Sequence, residues 1–210
     1  MNHLKLISSG TVLLLGLLYL YFGGSLSGTV TGWLPDDASR GRYHRVPILC
    51  FHNIDGTGPY SVTRAQFRNY LEQIRESGIQ VIPLRTLLQH ARDRRLLSRP
   101  SLVITIDDDY KNIVRVAAPM LRDYDFPATF FFYTADIMDN PRWGASWEDL
   151  RRLQAEGFDV QNHSYSHTAF HEPRPGETPE SYESRVHKEI VTSREILQKQ
   201  VPDSELYAFA

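Results

Sequence analysis

Asp107, Asp108 and Asp109 stand in a row directly behind the apolar run 102–106, and a second polar cluster, Asn162-His163-Ser164-Tyr165-Ser166-His167, stands behind another strand-like run, 158–161. Three adjacent carboxylates repel one another unless a cation or a shared proton lies among them. Parallel α/β folds collect their ligands at the C-terminal ends of strands, which is where both clusters fall. Histidines at i and i+4 can present both imidazoles to one ion if the segment turns helically after the strand. Two His and one Asp make three protein ligands, which leaves coordination positions for water and substrate. That open arrangement marks a catalytic divalent site rather than a structural one, and a second Asp beside it can act as base on the water. Asp109 suits a different task, the N-cap of a helix beginning near Lys111. Ser164 occupies the place where zinc proteases carry Glu, which disfavours a protease, and His171, followed by Pro173 and Pro175, reads as a loop residue.

The elements that must position these residues can be read from periodicity. Runs 46–51, 79–83, 102–107, 128–133 and 158–161 are short and mostly too continuously apolar to have a wet face, as expected of strands in a covered parallel sheet. Helical spacing fills the intervals, so the fold class is α/β. Thr63 with Gln66 forms a capping box for a helix with Phe67, Tyr70, Leu71 and Ile74 on one face and ending at Gly78. Ser146 with Asp149 starts another, stopped by Gly157. Thr178 and Pro179 suit the N-cap and first turn of a long helix through Leu197. Pro119 should kink the helix that carries Ile113, Ala117 and Leu121. Residues 206–210 read as a further strand.

Composition narrows the partners. The chain has 23 Lys and Arg against 25 Asp and Glu, a net charge of −2, and lacks the basic face that nucleic acid requires. Cys50 is the only cysteine, so neither an internal disulfide nor a Cys-rich zinc cluster is possible, and its apolar neighbours read it as core. Residues 1–27 contain the apolar run 6–22 and read as a signal peptide or membrane anchor, with Ser25-Leu26-Ser27 offering a cleavage site before Gly28. Residues 28–45 read as a tether and 46–210 as the folded domain. The expected location is the cell envelope, membrane-anchored or secreted.

Thr105-Ile106-Asp107-Asp108-Asp109 resembles the T-F-D-D-G motif of the polysaccharide deacetylases, the NodB-homology or carbohydrate esterase family 4 group. His163-Ser164-Tyr165-Ser166-His167 resembles their H-S/T-x-x-H motif, and Phe126-Pro127-Ala128-Thr129-Phe130-Phe131 is similar to the strand between them. The resemblance extends over 46–210 and implies a distorted (β/α) barrel. It makes Asp107 the general base and Asp108, His163 and His167 the ligands of zinc or a similar divalent ion. The ion would polarise an acetamide carbonyl while Asp107 takes a proton from the attacking water and a protonated His delivers one to the leaving amine. In the branch resembling poly-β-1,6-N-acetylglucosamine N-deacetylases that His lies on the first strand, in a segment similar to Val46-Pro47-Ile48-Leu49-Cys50-Phe51-His52-Asn53-Ile54, which nominates His52.

Two departures accompany the match. Asp109 stands where the motif has Gly, adding charge beside the site. The family's third motif would follow Ala210, and about 250 residues are typical of a (β/α) barrel, so 46–210 is expected to form a barrel incomplete at its C-terminal side. The implied activity is metal-dependent hydrolysis of N-acetyl groups on an exported or cell-surface polysaccharide, with release of acetate. The alternative is a catalytically inactive, membrane-tethered metal- or glycan-binding relative. A glycosidase built on paired carboxylates would leave both histidines unexplained.

Overall fold

A computed structural model describes residues 45–139 and 144–210, so the expected signal segment and nearly all of the tether lie outside the described residues. No helix among the described residues is long and apolar enough to cross a membrane. Five strands, β1 (Ile48–Phe51), β2 (Gln80–Val81), β3 (Ser101–Asp107), β4 (Thr129–Phe132) and β5 (Asp159–Asn162), form one parallel sheet. The order β1-β3-β4-β5 is continuous, and β2 pairs with the start of β3. Phe51 is in register with Ile106, Asp107 with Phe131, and Phe132 with Asn162, so the C-terminal ends of four strands come level along one edge.

Every residue of β3 is buried, which explains its unbroken apolar character. Side chains alternate across the sheet. Leu102, Ile104 and Ile106 enter the main core with Phe130, Phe132, Val160 and the helices, whereas Val103 and Phe131 belong to a smaller cluster on the other face with Ile82 and Leu84. The same parity carries Asp107 onto the face of Val103. Helix α1 (Arg64–Ser77) closes the core with Phe67, Leu71 and Ile74, between the expected Thr63–Gln66 capping box and Gly78 in the left-handed conformation. Helix α5 (Trp147–Ala155) has the expected Ser146–Asp149 capping box. Helix α2 (Leu84–Arg92) joins β2 to β3, and α4 (Thr134–Asp139) lies with α5 between β4 and β5.

The helix carrying Pro119 is irregular just before the proline. A π-helical turn, Ile113–Ala117, precedes α3 (Ala118–Asp123), and this widened turn spares the proline ring a clash with the preceding carbonyls. The long C-terminal helix is likewise divided. It comprises α6 (Pro179–His187), a π-helical turn (Lys188–Thr192) and α7 (Ser193–Gln200), with Thr178 as N-cap.

Residues 206–210 are not a strand. A single parallel bridge joins Phe209 to Asn162, and the segment is held instead by the Gln161 side chain. Its Oε1 accepts from the Tyr207 and Ala208 amides, each at 2.9 Å, and its Nε2 donates to the Glu205 carbonyl at 2.9 Å. A side-chain amide thus replaces the backbone ladder that a strand would have made. Tyr207, Ala208 and Ala210 pack on the smaller cluster, while Phe209 sits against Phe170. The sheet is therefore an arc of parallel strands, and the barrel is not closed among the described residues.

The loop before α6 is pinned by Arg185, which donates to both Glu177 oxygens at 2.7 Å and to the carbonyls of Ala169 and Glu172. The guanidinium holds the Glu177 carboxyl at about 2, against an ordinary 4.5. A depressed carboxylate contributes stability above its unfolded value and loses it as pH falls through the folded one. Glu177→Gln should therefore melt below wild type at every pH above about 4.5, and the difference should vanish as pH approaches 2, as followed by thermal melts monitored by circular dichroism.

Candidate metal centre

The edge formed by the four strand ends gathers all five residues singled out above. His52 follows β1, Asp107 ends β3 with Asp108 next, and His163 follows β5. His167 returns to the same point from the loop. Nε2 of His163 lies 3.8 Å and Nε2 of His167 3.6 Å from Asp108 Oδ1, and the three groups offer ligand atoms within 4.8 Å of one another. Two ligands about 2.0–2.1 Å from one tetrahedral ion would be about 3.3–3.4 Å apart, so a small closure completes a zinc-like set.

The donor chemistry fits such an ion. His163 Nδ1 lies 2.7 Å from the Ala210 carbonyl oxygen, which can only accept, so Nδ1 carries the proton and Nε2 presents its lone pair. That Nε2 is buried without a hydrogen-bond partner, as is Oδ1 of Asp107. Burial lowers the pKa of His163, which keeps the imidazole in the neutral form that binds a cation. His167 is the exposed member, its side chain 54% accessible, with its ring stacked on Tyr133 at 5.3 Å.

Asp107 and Asp108 are only 6% and 9% exposed, yet their environments diverge. Burial raises the pKa of Asp107 despite the opposing influence of His163, the Cys50 thiol and His52. Burial acts in the same direction on Asp108, but the hydrogen bond from His52, with the electrostatic influence of that ring and of the neighbouring histidines, outweighs it and holds this carboxyl below its usual value. His52 Nδ1 lies 3.3 Å from Asp108 Oδ2, and that contact raises the His52 pKa. Two neighbouring carboxylates with separated proton affinities are suited to distinct tasks, one as ligand and one as base.

The His-containing segment does not turn helically after its strand. Ser164 and His167 adopt positive φ, 78° and 56°, and this left-handed geometry brings the two imidazoles to 4.9 Å between ring centroids. The loop is held from beneath. Asn162 Oδ1 accepts from the Ser164 amide and from Ser193 Oγ, and Ser164 Oγ accepts from the His167 amide. Glu189, 4% exposed in the second π-helical turn, accepts from the Tyr165 and Ser166 amides and from Ser166 Oγ at 2.6–3.1 Å. Neither Glu189 nor Ser193 was signalled by the sequence, because a polar residue in an amphipathic helix reads as solvent-facing. Cys50 also differs from its reading as core. It is half-buried, and its thiol donates to Asp107 Oδ2 at 3.2 Å.

Asp109, which stands where the motif has Gly, is not the residue that takes up the strained backbone of the turn. The left-handed residue of the turn is Asp108, with φ 77°, whereas Asp109 is buried against Gly144, where a Cβ would come within 2.5 Å of Asp109 Oδ2.

Residues 95–209 match the sequence profile described as polysaccharide deacetylase. The chain belongs to the polysaccharide deacetylase family. It is 24% identical over 150 residues to the poly-β-1,6-N-acetyl-D-glucosamine N-deacetylase of Staphylococcus epidermidis, covering 70% of this chain and 52% of that protein. YxkH of Bacillus subtilis, named for the same family, is 24% identical over 143 residues, 68% of this chain and 49% of YxkH. The chain thus spans about half the length of the curated relatives it matches. Among solved structures, the deacetylase PplD of Streptococcus pyogenes superposes with a TM-score of 0.67 at 20% identity, covering 78% of this chain and 72% of PplD. IcaB of Ammonifex degensii superposes with 0.65 at 20% identity, covering 80% and 74%. The shared fold is the α/β deacetylase arrangement of a parallel sheet with its helices.

Two measurements test the centre. Asp108→Asn, His163→Ala and His167→Ala should each lose stoichiometric zinc by atomic absorption, whereas Asp107→Asn should retain it. Glu189→Gln, which touches no ligand atom, should weaken zinc affinity about 10- to 100-fold in a chelator competition, since its carboxylate orients the loop carrying both histidines.

Proposed function

We propose that this chain hydrolyses N-acetyl groups on an exported or cell-surface polysaccharide, releasing acetate and leaving free amines. The observation that carries this reading is a buried base, Asp107, set beside a convergent Asp108–His163–His167 group with a third imidazole, His52, on the same strand edge. Family membership and the names of the relatives support the substrate class. The Staphylococcus epidermidis relative is named for N-deacetylation of an N-acetylglucosamine polymer, and PplD was solved with acetate.

In this reading Asp108, His163 and His167 hold a divalent ion, zinc by preference for a nitrogen-and-oxygen set. When bound, the ion supplies Lewis acidity toward the acetamide carbonyl. Asp107 accepts a proton, at its unpartnered Oδ1, from the water that attacks the carbonyl carbon. Its raised pKa makes it a better base than an ordinary Asp. His52, whose own pKa is raised through its contact with Asp108, is more readily protonated at neutral pH. Its Nδ1–H is engaged with Asp108, so Nε2–H delivers the proton to the leaving nitrogen as the C–N bond breaks. Tyr60, packed on the His52 ring at 5.7 Å and largely exposed, offers an apolar face beside the reacting group on which a sugar ring can lie. Residues 6–22, as an export segment or anchor, would place this chemistry at the cell envelope, where such polysaccharides are found.

Acetate release from N-acetylglucosamine oligomers, measured enzymatically alongside metal content, tests the reading. His52→Ala should lower turnover about 10²- to 10⁴-fold with one equivalent of metal still bound, and Asp107→Asn should abolish it. Wild-type protein that binds zinc and releases no acetate would instead be a glycan- or metal-binding relative, and shortened oligomers would indicate a glycosidase.

A further inference from the structure

The mechanism leaves one nucleophilic group of the strand edge unused. Cys50 Sγ lies 3.2 Å from Asp107 Oδ2 and 3.9 Å from His52 Nε2, and the three side chains offer ligand atoms within 4.8 Å of one another, a set separate from Asp108, His163 and His167. The alternation of β1 and β3 produces this grouping, since Cys50 is in register with Thr105 and both side chains face the way Asp107 does. We infer that Cys50, His52 and Asp107 form a second cation site, selective for soft divalent ions, whose occupation switches the hydrolase off.

The geometry suits a small ion. A cation about 2.3 Å from Sγ and about 2.0–2.1 Å from the nitrogen and oxygen would see angles of about 95° and about 125° at these separations, on either side of tetrahedral. A thiolate ligand favours soft ions such as Cd²⁺, while the imidazole–carboxylate set next to it suits zinc. His52 can serve with Nδ1–H on Asp108 and the Nε2 lone pair toward Cys50. Binding exchanges one proton: the S–H bond breaks, an S–metal bond forms, and the proton leaves to solvent. The ion then occupies Asp107 Oδ2 and His52 Nε2, on the two side chains that take up and deliver protons. The inhibitory consequence rests on the deacetylase reading; the binding does not.

Purified full-length chain carrying one equivalent of zinc is titrated with Cd²⁺ while thiolate-to-cadmium charge-transfer absorbance, metal stoichiometry, reaction of Cys50 with a thiol reagent, and acetate release are recorded. A second equivalent is expected, with the absorbance saturating at one thiolate per chain, thiol modification slowed at least about tenfold, and acetate release falling in step. Cys50→Ser and Cys50→Ala should lose the absorbance and the second equivalent while keeping the first. His52→Ala, which keeps the thiol, should weaken the second equivalent about 10- to 100-fold, and this variant decides the matter if the Cys50 variants fail to fold. Saturation at one equivalent without the absorbance, a second equivalent that persists in Cys50→Ser, or undiminished second-site affinity in His52→Ala would overturn the site. A second equivalent with the full optical signature in a protein that never releases acetate would uphold the site and overturn the hydrolase instead.

Discussion

Burying two adjacent carboxylates at the end of an all-buried strand is the constraint on which the rest of this site depends. An ionised carboxylate taken out of water is costly unless charge or hydrogen bonds compensate it. Asp108 meets that demand through three imidazoles arriving from two strand ends and a loop, with His52 on one oxygen and His163 and His167 near the other. Asp107 receives only the Cys50 thiol on one oxygen and keeps the other unpartnered. The asymmetry separates the proton affinities of two residues that are identical in type and adjacent in the chain. It is the physical basis on which Asp108 is proposed as ligand and Asp107 as base.

Geometry of this kind has to be imposed against local preference. Asp108, Ser164 and His167 all adopt positive φ, a conformation that costs non-glycine residues roughly 1–3 kcal/mol each. For the histidine loop the opposing support is visible in Asn162 and Glu189, which accept from its amides and the Ser166 hydroxyl, and in Ser193, whose hydroxyl lies 2.7 Å from the Ser164 carbonyl oxygen. Two of these three come from the C-terminal helix at or beside its π-helical turn, a device that recurs at functional sites because the extra residue re-aims side chains. The loop is held in place by buried hydrogen bonds rather than by its own helical propensity.

The departure at Asp109 has a similar explanation. The residue that must tolerate a left-handed backbone is Asp108, and Asp is among the few side chains that do so readily. Asp109 is buried against Gly144, where the missing Cβ makes room for its carboxylate. The charge that the sequence adds to the motif is therefore buried in a pocket that Gly144 leaves open. On the far side of the sheet edge, Gln161 takes the place of a strand partner for 205–208 and brings the Ala210 carbonyl to His163. A site residue and the closing segment of the arc are thereby coupled through one strand.

Much was legible in the residues alone. The α/β class, the capping boxes at Thr63 and Ser146, the glycine stop at Gly78 and the placement of both polar clusters behind strands follow from local periodicity and capping chemistry, which act over a few residues and leave direct marks in sequence. The choice of Asp107, Asp108, His163, His167 and His52 as a group needed the family resemblance as well, since nothing local ties residues so far apart. Only the tertiary structure decided which carboxylate meets which imidazole, that His52 is bound to Asp108 and Cys50 to Asp107, that the histidine loop is left-handed rather than helical, and that 206–210 hangs on a glutamine side chain. Those outcomes depend on strand register and on burial by distant helices. A one-residue change in register would turn Cys50 and Asp107 to opposite faces, and no run of sequence within either strand specifies that alignment by itself.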